Sequence, residues 1–443
     1  MLSVILSFTT VQTGLARFVT SRVNANYGTA IEIQKLDLSS IRNVALKNVL
    51  IKDHHGDTLI SAESLKTSVL NYRNIISNEL NFGEIHLSNG DFNMTTYEGE
   101  EINNLSVFVN KFKSGETKKN TTFKMSSSSI KLEGINFTLF NKNRKEEPIV
   151  YYQQIYGDFD DFKIKGSNVS AKINDLRVIE NHGVAITSFS TDFSYSDSKM
   201  EFLDSKLATK GSKLIADVIF NYEPGDLSDF TNKVQIDADF RESDIVLSDL
   251  KKLYGEFGKH DIIHFTCKAK GTINDFALEE IDLHSDRNSS LRGDVYLKNL
   301  LYPEKFKLNG DIKEISSNYD HLVNLLPDLL GAKIPKEMEK LGYFSSRGKV
   351  AITKSSVDIQ LRTIAELGMS DVDLKLLNID QGDLVSYEGK VELVDFNLGE
   401  FVSDSLIGEF SMIGEVQGQG FSADKINIKV KGHVSKHQYK GYT

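Results

Sequence analysis

The sequence predicts a mostly β protein, built as an elongated, twisted, largely antiparallel sheet, on three observations. Apolar and polar residues alternate with period two in many short segments, the signature of strands with one dry and one wet face. Gly, Asp, Asn and Ser clusters punctuate these segments at spacings of roughly 8–12 residues, as hairpins require. Only 5 prolines occur among 443 residues, while Phe (26) and Tyr (16) are abundant. Long Pro-free stretches keep every backbone N–H available for a ladder.

Taken in chain order, residues 1–28 read as an N-terminal helical element. Met1, Leu2, Val4, Ile5, Leu6 and Phe8 form an apolar run, and Leu15, Phe18, Val19 and Val23 continue at helical spacing. Tyr27-Gly28-Thr29 breaks that spacing. A spanning helix needs roughly 20 apolar residues, which this run does not reach. A secretory signal should open with a basic residue, and none precedes Arg17. The expectation is the remnant of a membrane anchor.

From residue 29 to 443 the chain reads as strand after strand. Ile31 and Ile33, Val44 and Leu46, Val49 and Ile51, and Val107 and Val109 each alternate. Longer cases are Val234, Ile236, Ala238 and Phe240; Val357, Ile359 and Leu361; Val372, Leu374 and Leu376; and Ile426, Ile428 and Val430. Ile263, Phe265, Cys267 and Ala269 share one face of a further strand. Turns are expected at Asn89-Gly90-Asp91, Lys165-Gly166-Ser167, Lys210-Gly211-Ser212, Asn309-Gly310-Asp311 and Gln381-Gly382-Asp383, because these residues accept left-handed backbone. A loose repeat of strand, Gly, turn and strand recurs at 268–300, 346–379 and 414–435, which favours an extended array over one closed barrel. Helices are expected at Asp244 to Phe257, capped by Ser243 and stopped by Gly258, at Tyr319 to Leu330, and briefly at Leu398 to Leu406. Polar stretches at 111–120, 126–129 and 141–147 read as loops.

Composition removes several function classes. The net charge is -10 with both signs interspersed, and no basic stripe offers the concentrated positive charge that nucleic acid requires. The single cysteine, Cys267, supports no disulfide framework and reads as a small buried apolar residue. There is no nucleophile elbow, phosphate loop or zinc-protease helix motif, so no enzyme activity and no cofactor is expected. His54 and His55 are adjacent; on a strand their side chains would diverge and could not share one ion, so a polar turn is expected and no metal. Asp158, Asp160 and Asp161 lack the Gly and closing Glu of a calcium loop. The run Gly414 to Gly420 is not a dinucleotide fingerprint and reads as a bend within a strand. Asn93-Met94-Thr95, Asn136-Phe137-Thr138 and Asn168-Val169-Ser170 are triplets that arise by chance in a chain rich in these residues.

What remains is the set of apolar faces. Either they close on one another as sandwich cores, or they form an open apolar groove that holds acyl chains. On the second reading Val234, Ile236, Phe240, Ile263, Phe265, Ile359, Leu361, Ile426 and Ile428 line it. On the first, the chain is a structural or interaction protein whose loops bind a protein partner.

Two stretches carry a resemblance. Asp53, Gly56, Asp57, Thr58 and Leu59, following the N-terminal helix and strands, resemble the start of TamB-type proteins of the AsmA-like group in their Bacteroidetes form. Asn397-Leu398-Gly399 and Tyr439-Lys440-Gly441-Tyr442 are similar to the same family. The resemblance implies a periplasmic β-groove protein anchored in the inner membrane and engaged in outer-membrane biogenesis, with phospholipids as cargo and an outer-membrane β-barrel assembly protein as partner. It implies no catalytic residues. The chain departs from the family in its short anchor and in lacking the family's closing C-terminal domain, so a fragment of a longer protein is expected.

Overall fold

The computed structural model describes residues 9–38, 43–69, 79–111, 124–143, 150–181, 184–253, 258, 261–325, 336–381, 384–420 and 427–440. Twenty-one strands dominate, with a few short helices, and the chain divides into two units, Met1–Gln235 and Ile236–Thr443.

The first unit opens with helix α1 (Thr9–Tyr27). No helix among the described residues is long and apolar enough to cross a membrane. Gly28 ends α1 with φ of 62°, a conformation Gly adopts without steric cost. The Asn24 side chain then ties helix to strand: its amide donates to the Ile31 carbonyl, and its oxygen accepts from the Ile31 N–H, both at 2.9 Å.

Strands β1 (Ala30–Leu38), β2 (Asn43–Lys52), β3 (Thr58–Val69) and β4 (Glu79–Thr96) pair antiparallel in order. Helix α2 (Asn104–Asn110) follows, then β5 (Lys124–Asn141), which pairs with β4 in parallel. This departs from the antiparallel expectation, because a crossover and not a hairpin joins the two. Strands β6 (Val150–Lys165), β7 (Asn168–Asn181), β8 (Ser188–Tyr195), β9 (Lys199–Ala208) and β10 (Lys213–Asn221) continue antiparallel. A 3-10 turn (Asp226–Asp229) and the single-turn α3 (Phe230–Lys233) close the unit.

In the second unit β11 (Gln235–Val246) leads into α4 (Leu247–Leu253). Strands β12 (Ile262–Gly271), β13 (Phe276–Ser285), β14 (Ser290–Lys298) and β15 (Lys307–Ser317) follow, then α5 (Tyr319–Leu325) and a 3-10 turn (Lys336–Leu341). Strands β16 (Phe344–Thr353), β17 (Ser356–Ala365), β18 (Gly368–Leu377) and β19 (Ser386–Asn397) precede α6 (Leu398–Val402), β20 (Ile407–Gln419) and β21 (Asn427–Tyr439). Every consecutive pair from β11 to β21 is antiparallel.

Several sequence-based expectations are corrected. Val107 and Val109 lie in α2, where the Asn103 side chain caps the helix by accepting the Ser106 N–H. Asn89-Gly90-Asp91 and Asn309-Gly310-Asp311 are interior to β4 and β15 and are not turns. Residues 126–129 belong to β5. Ser243 to Val246 extend β11, so α4 begins only at Leu247; residues 254–257 and 326–330, expected to complete two helices, lie outside the described residues, as do 112–120 and 144–147. The turns at Gly166 and Gly211 stand where expected, between β6 and β7 and between β9 and β10.

Candidate functional site

Cross-strand register in the second unit converts period-two alternation into continuous apolar rows. Directly opposed residues of an antiparallel pair project to the same face. One row runs Ile236, Gly271, Phe276, Leu297, Leu308, Ile352, Val357, Leu376, Tyr387, Gly418 and Ile428, one residue from each of β11 to β21. A second runs Ala238, Ala269, Leu278, Val295, Gly310, Val350, Ile359, Leu374, Gly389, Val416 and Val430. A third includes Ile312, Gly348, Leu361, Val372, Val391 and Gly414. No charged side chain interrupts any of the three. The opposite face is ionic: Lys349, Gln360, Asp373, Lys390, Glu415 and Lys431 oppose one another in register.

Exposure separates an open face from a closed core. In a sandwich the central residues of such rows would be fully buried. Here Val357, Ile359, Leu361, Val372, Leu374, Leu376, Val391 and Val416 have neighbours on both flanking strands and remain only half-buried. On β21, Ile428 and Val430 are each 49% exposed. The face is more shielded towards β11 to β13, where Ala238, Ile263, Ala269 and Ile281 are buried. A packed core cluster lies at one margin, where Leu341, Leu367 and Phe396 pack with Met338, Leu393, Leu398 and Phe401. The 3-10 turn and α6 thus pack at these strand ends, and among the described residues the central members of the rows stay only half-buried.

The first unit carries related rows, among them Leu36, Leu46, Leu65, Leu87, Leu132, Gly157 and Leu176. Another joins Ile31, Ile51, Ile60, Phe92 and Phe137, whose last two rings lie 5.4 Å apart. Leu36, Val49, Ile85, Ile135 and Ile173 are buried, so this face is better shielded than that of the second unit.

Of the residues expected to line a groove, Ile236 and Ile428 fall in the first row, Ile359 in the second and Leu361 in the third. Phe240 opposes Cys267, and its ring lies 5.6 Å from that of Phe265. Ile263 is on the same strand face but 4% exposed, between Ile245 and Ser285, so it packs and offers little surface. Val234 is a correction. It precedes β11 as the residue ending α3, with its N–H on the Phe230 carbonyl, and is fully buried; the alternation that seemed to include it begins one strand position later. Ile426 lies outside the described residues. Val350, Leu278, Val295 and Val416 belong to the rows and were not singled out, although the alternation of Val350 with Ile352 is visible in the sequence. Burial, with a smaller contribution from Asp239, pushes the Cys267 thiol up to about 11, which keeps it protonated and inert.

Polar chemistry gathers at the β2–β3 turn instead. His54 and His55 stand in that turn and not on a strand, so the divergence expected of neighbouring strand residues does not apply. Their Nε2 atoms converge on the Glu100 carboxylate, at 2.9 Å for His54 and 2.6 Å for His55. Tyr97 stacks on the His55 ring at 3.8 Å between centroids, and its hydroxyl lies 2.6 Å from Asp53 and 2.7 Å from Asp57. Sequence reasoning missed this cluster, because nothing in the chain near the histidines points to Glu100.

No family model, curated protein or solved structure matches the chain.

Proposed function

We propose that the uncovered apolar face of the second unit binds lipid acyl chains, and that the chain serves as a lipid-handling component of a cell envelope. The observation that supports this most is the set of rows free of charge across eleven strands, many of whose residues are only half-buried, with an ionic opposite face on β16 to β21. Rows on one face are spaced by two residues, about 6.7 Å, so the three of them cover roughly 13 Å of strand. An acyl chain in one leaflet spans about 15 Å, half of the ~30 Å hydrocarbon core, a similar length.

Acyl chains suit such a surface because they present no group that needs a hydrogen bond. Each methylene removed from water contributes up to about 0.8 kcal/mol, without a shaped pocket, so chains of different length bind and slide. Headgroups would stay in water beyond the strand ends. The resemblance to TamB-type proteins agrees with this reading and supplies its expected setting: phospholipid cargo, a periplasmic location, an inner-membrane anchor and an outer-membrane assembly partner.

The test is mass spectrometry of organic extracts from the chain, expressed in a bacterial envelope and purified without detergent. Phospholipid is expected with the parent chain and is expected to be lost in Ile236→Asp/Ile359→Asp, with strand content unchanged. A folded, lipid-free parent chain, or undiminished lipid in the variant, contradicts the proposal. Global unfolding of Ile359→Asp would instead indicate a closed core, since an unpaired buried charge is very costly, and would favour a structural or protein-interaction role.

A further inference from the structure

Independently of lipid handling, the geometry points to a three-ligand site for a zinc-type divalent cation formed by His54, His55 and Glu100 in the first unit. The His54 and His55 Nε2 atoms and a Glu100 oxygen lie within 4.8 Å of one another. Two imidazoles and a carboxylate are a donor set that Zn2+ accepts, with a fourth position left to solvent.

The spacing is already close to a coordination sphere. At bond lengths of about 2.0–2.1 Å, ligand atoms on a tetrahedral ion stand roughly 3.3 Å apart. The Nε2-to-carboxylate distances are 2.9 and 2.6 Å, so seating an ion among the three ligand atoms opens each by roughly half an ångström. All three side chains are partly exposed, which gives an ion a route in.

The surroundings hold the ligands in place, as outer partners do at metal sites. Asp53, 5% exposed, accepts the backbone N–H of His55 at 2.9 Å and of Asp57 at 3.0 Å. This closes the turn with both imidazoles on one side. Gly56 completes it at φ of 85°. Tyr97 flanks both rings, with centroids 3.8 Å from His55 and 5.6 Å from His54. Glu100 is fixed through its main chain: its N–H donates to the Tyr97 carbonyl at 3.1 Å, and its carbonyl accepts from Asn143 at 2.9 Å. An ion here would clip the β2–β3 turn to the end of β4, across 45 residues of chain.

The experiment titrates untagged full chain, stripped with chelator, with Zn2+ by calorimetry and with Co2+ by visible absorption. Expected are one ion per chain, a tetrahedral-type Co2+ band, and at least a tenfold loss of affinity in both His55→Asn and Glu100→Gln. His86→Asn is expected to leave binding unchanged, because His86 pairs with Glu133 and belongs to no such cluster among the described residues. Circular dichroism checks that each variant is folded. No binding by the parent chain, or equal binding by the parent, His55→Asn and Glu100→Gln, overturns the assignment; the Co2+ band of the parent decides it should a variant fail to fold.

Discussion

Gly389→Ala is expected to destabilise the second unit by about 3 kcal/mol or more, the effect of one added methyl group in the middle of an apolar row. Gly389 sits at φ of 148°, and a Cβ there would stand 2.0 Å from the Asp373 carbonyl oxygen. That oxygen is backbone of the paired strand, opposite the Gly389 region in the β18–β19 ladder, and cannot move without breaking it. Gly310 occupies the same row on β15, yet its added Cβ would press on the Ile312 side chain at 3.1 Å, a flexible neighbour, with the Val350 carbonyl oxygen at an ordinary 4.0 Å. Gly310→Ala is therefore expected to cost about 1 kcal/mol or less. Urea unfolding of both variants checks the contrast. Equal midpoints would mean that the bent backbone of the face is not under the constraint described.

Asn104→Ala carries the second large effect, about 3 kcal/mol, through the polar network beneath the β2–β3 turn. Asn104 is 1% exposed. Its amide donates to Asp53 at 2.9 Å and to the Asn93 carbonyl at 3.1 Å, and its oxygen accepts the Thr95 N–H at 2.9 Å. Truncation removes three hydrogen bonds, one between buried side chains and two to part-buried backbone groups, each at a cost of about 1–3 kcal/mol at most where a partner is left unsatisfied. Burial alone pushes the Asp53 carboxyl up, but donors from Asn104, Tyr97 and the N–H groups of Asp57 and His55 outweigh it and hold it below the usual carboxylate range. A carboxyl depressed in the folded state stabilises above its unfolded value of about 4 and loses that contribution as pH falls through the folded value. The parent chain should therefore lose stability between pH 5 and acid, and Asn104→Ala should show a smaller drop over that window. Thermal midpoints at pH 7 and pH 3 measure both; an unchanged drop would remove Asp53 from the account.

The fold class was legible because alternation survives wherever a sheet has one ionic face, as at Asp358, Gln360 and Arg362 between Val357, Ile359 and Leu361. The end of α1 was legible in Gly28. Glycine was misleading elsewhere: Gly90 looks like a turn beside Asn89 and Asp91, but it lets β3 and β4 approach, since a Cβ would stand 2.1 Å from the Ser61 carbonyl oxygen. Asn89 beside it takes φ of 50° inside a strand whose register is kept on both sides, and not in a hairpin. Two valines at alternate positions, Val107 and Val109, could not outweigh the Asn103 cap. The bulge between Phe240 and Ser243 broke the period and made the end of β11 resemble helix. The rows were only half legible, because alternation identifies a dry face in each strand but register decides which residues line up. Glu100 could not be linked to His54 and His55 without the fold.

The central claim, that the dry face is open to acyl chains, is tested most directly by photo-crosslinking along β17. A benzophenone amino acid placed in turn at positions 357 to 362, in cells whose phospholipids carry a label, should capture lipid with period two. Val357, Ile359 and Leu361 should label, while Asp358, Gln360 and Arg362 should not. Equal labelling of both faces, or none at 357, 359 and 361 in folded protein, would contradict it.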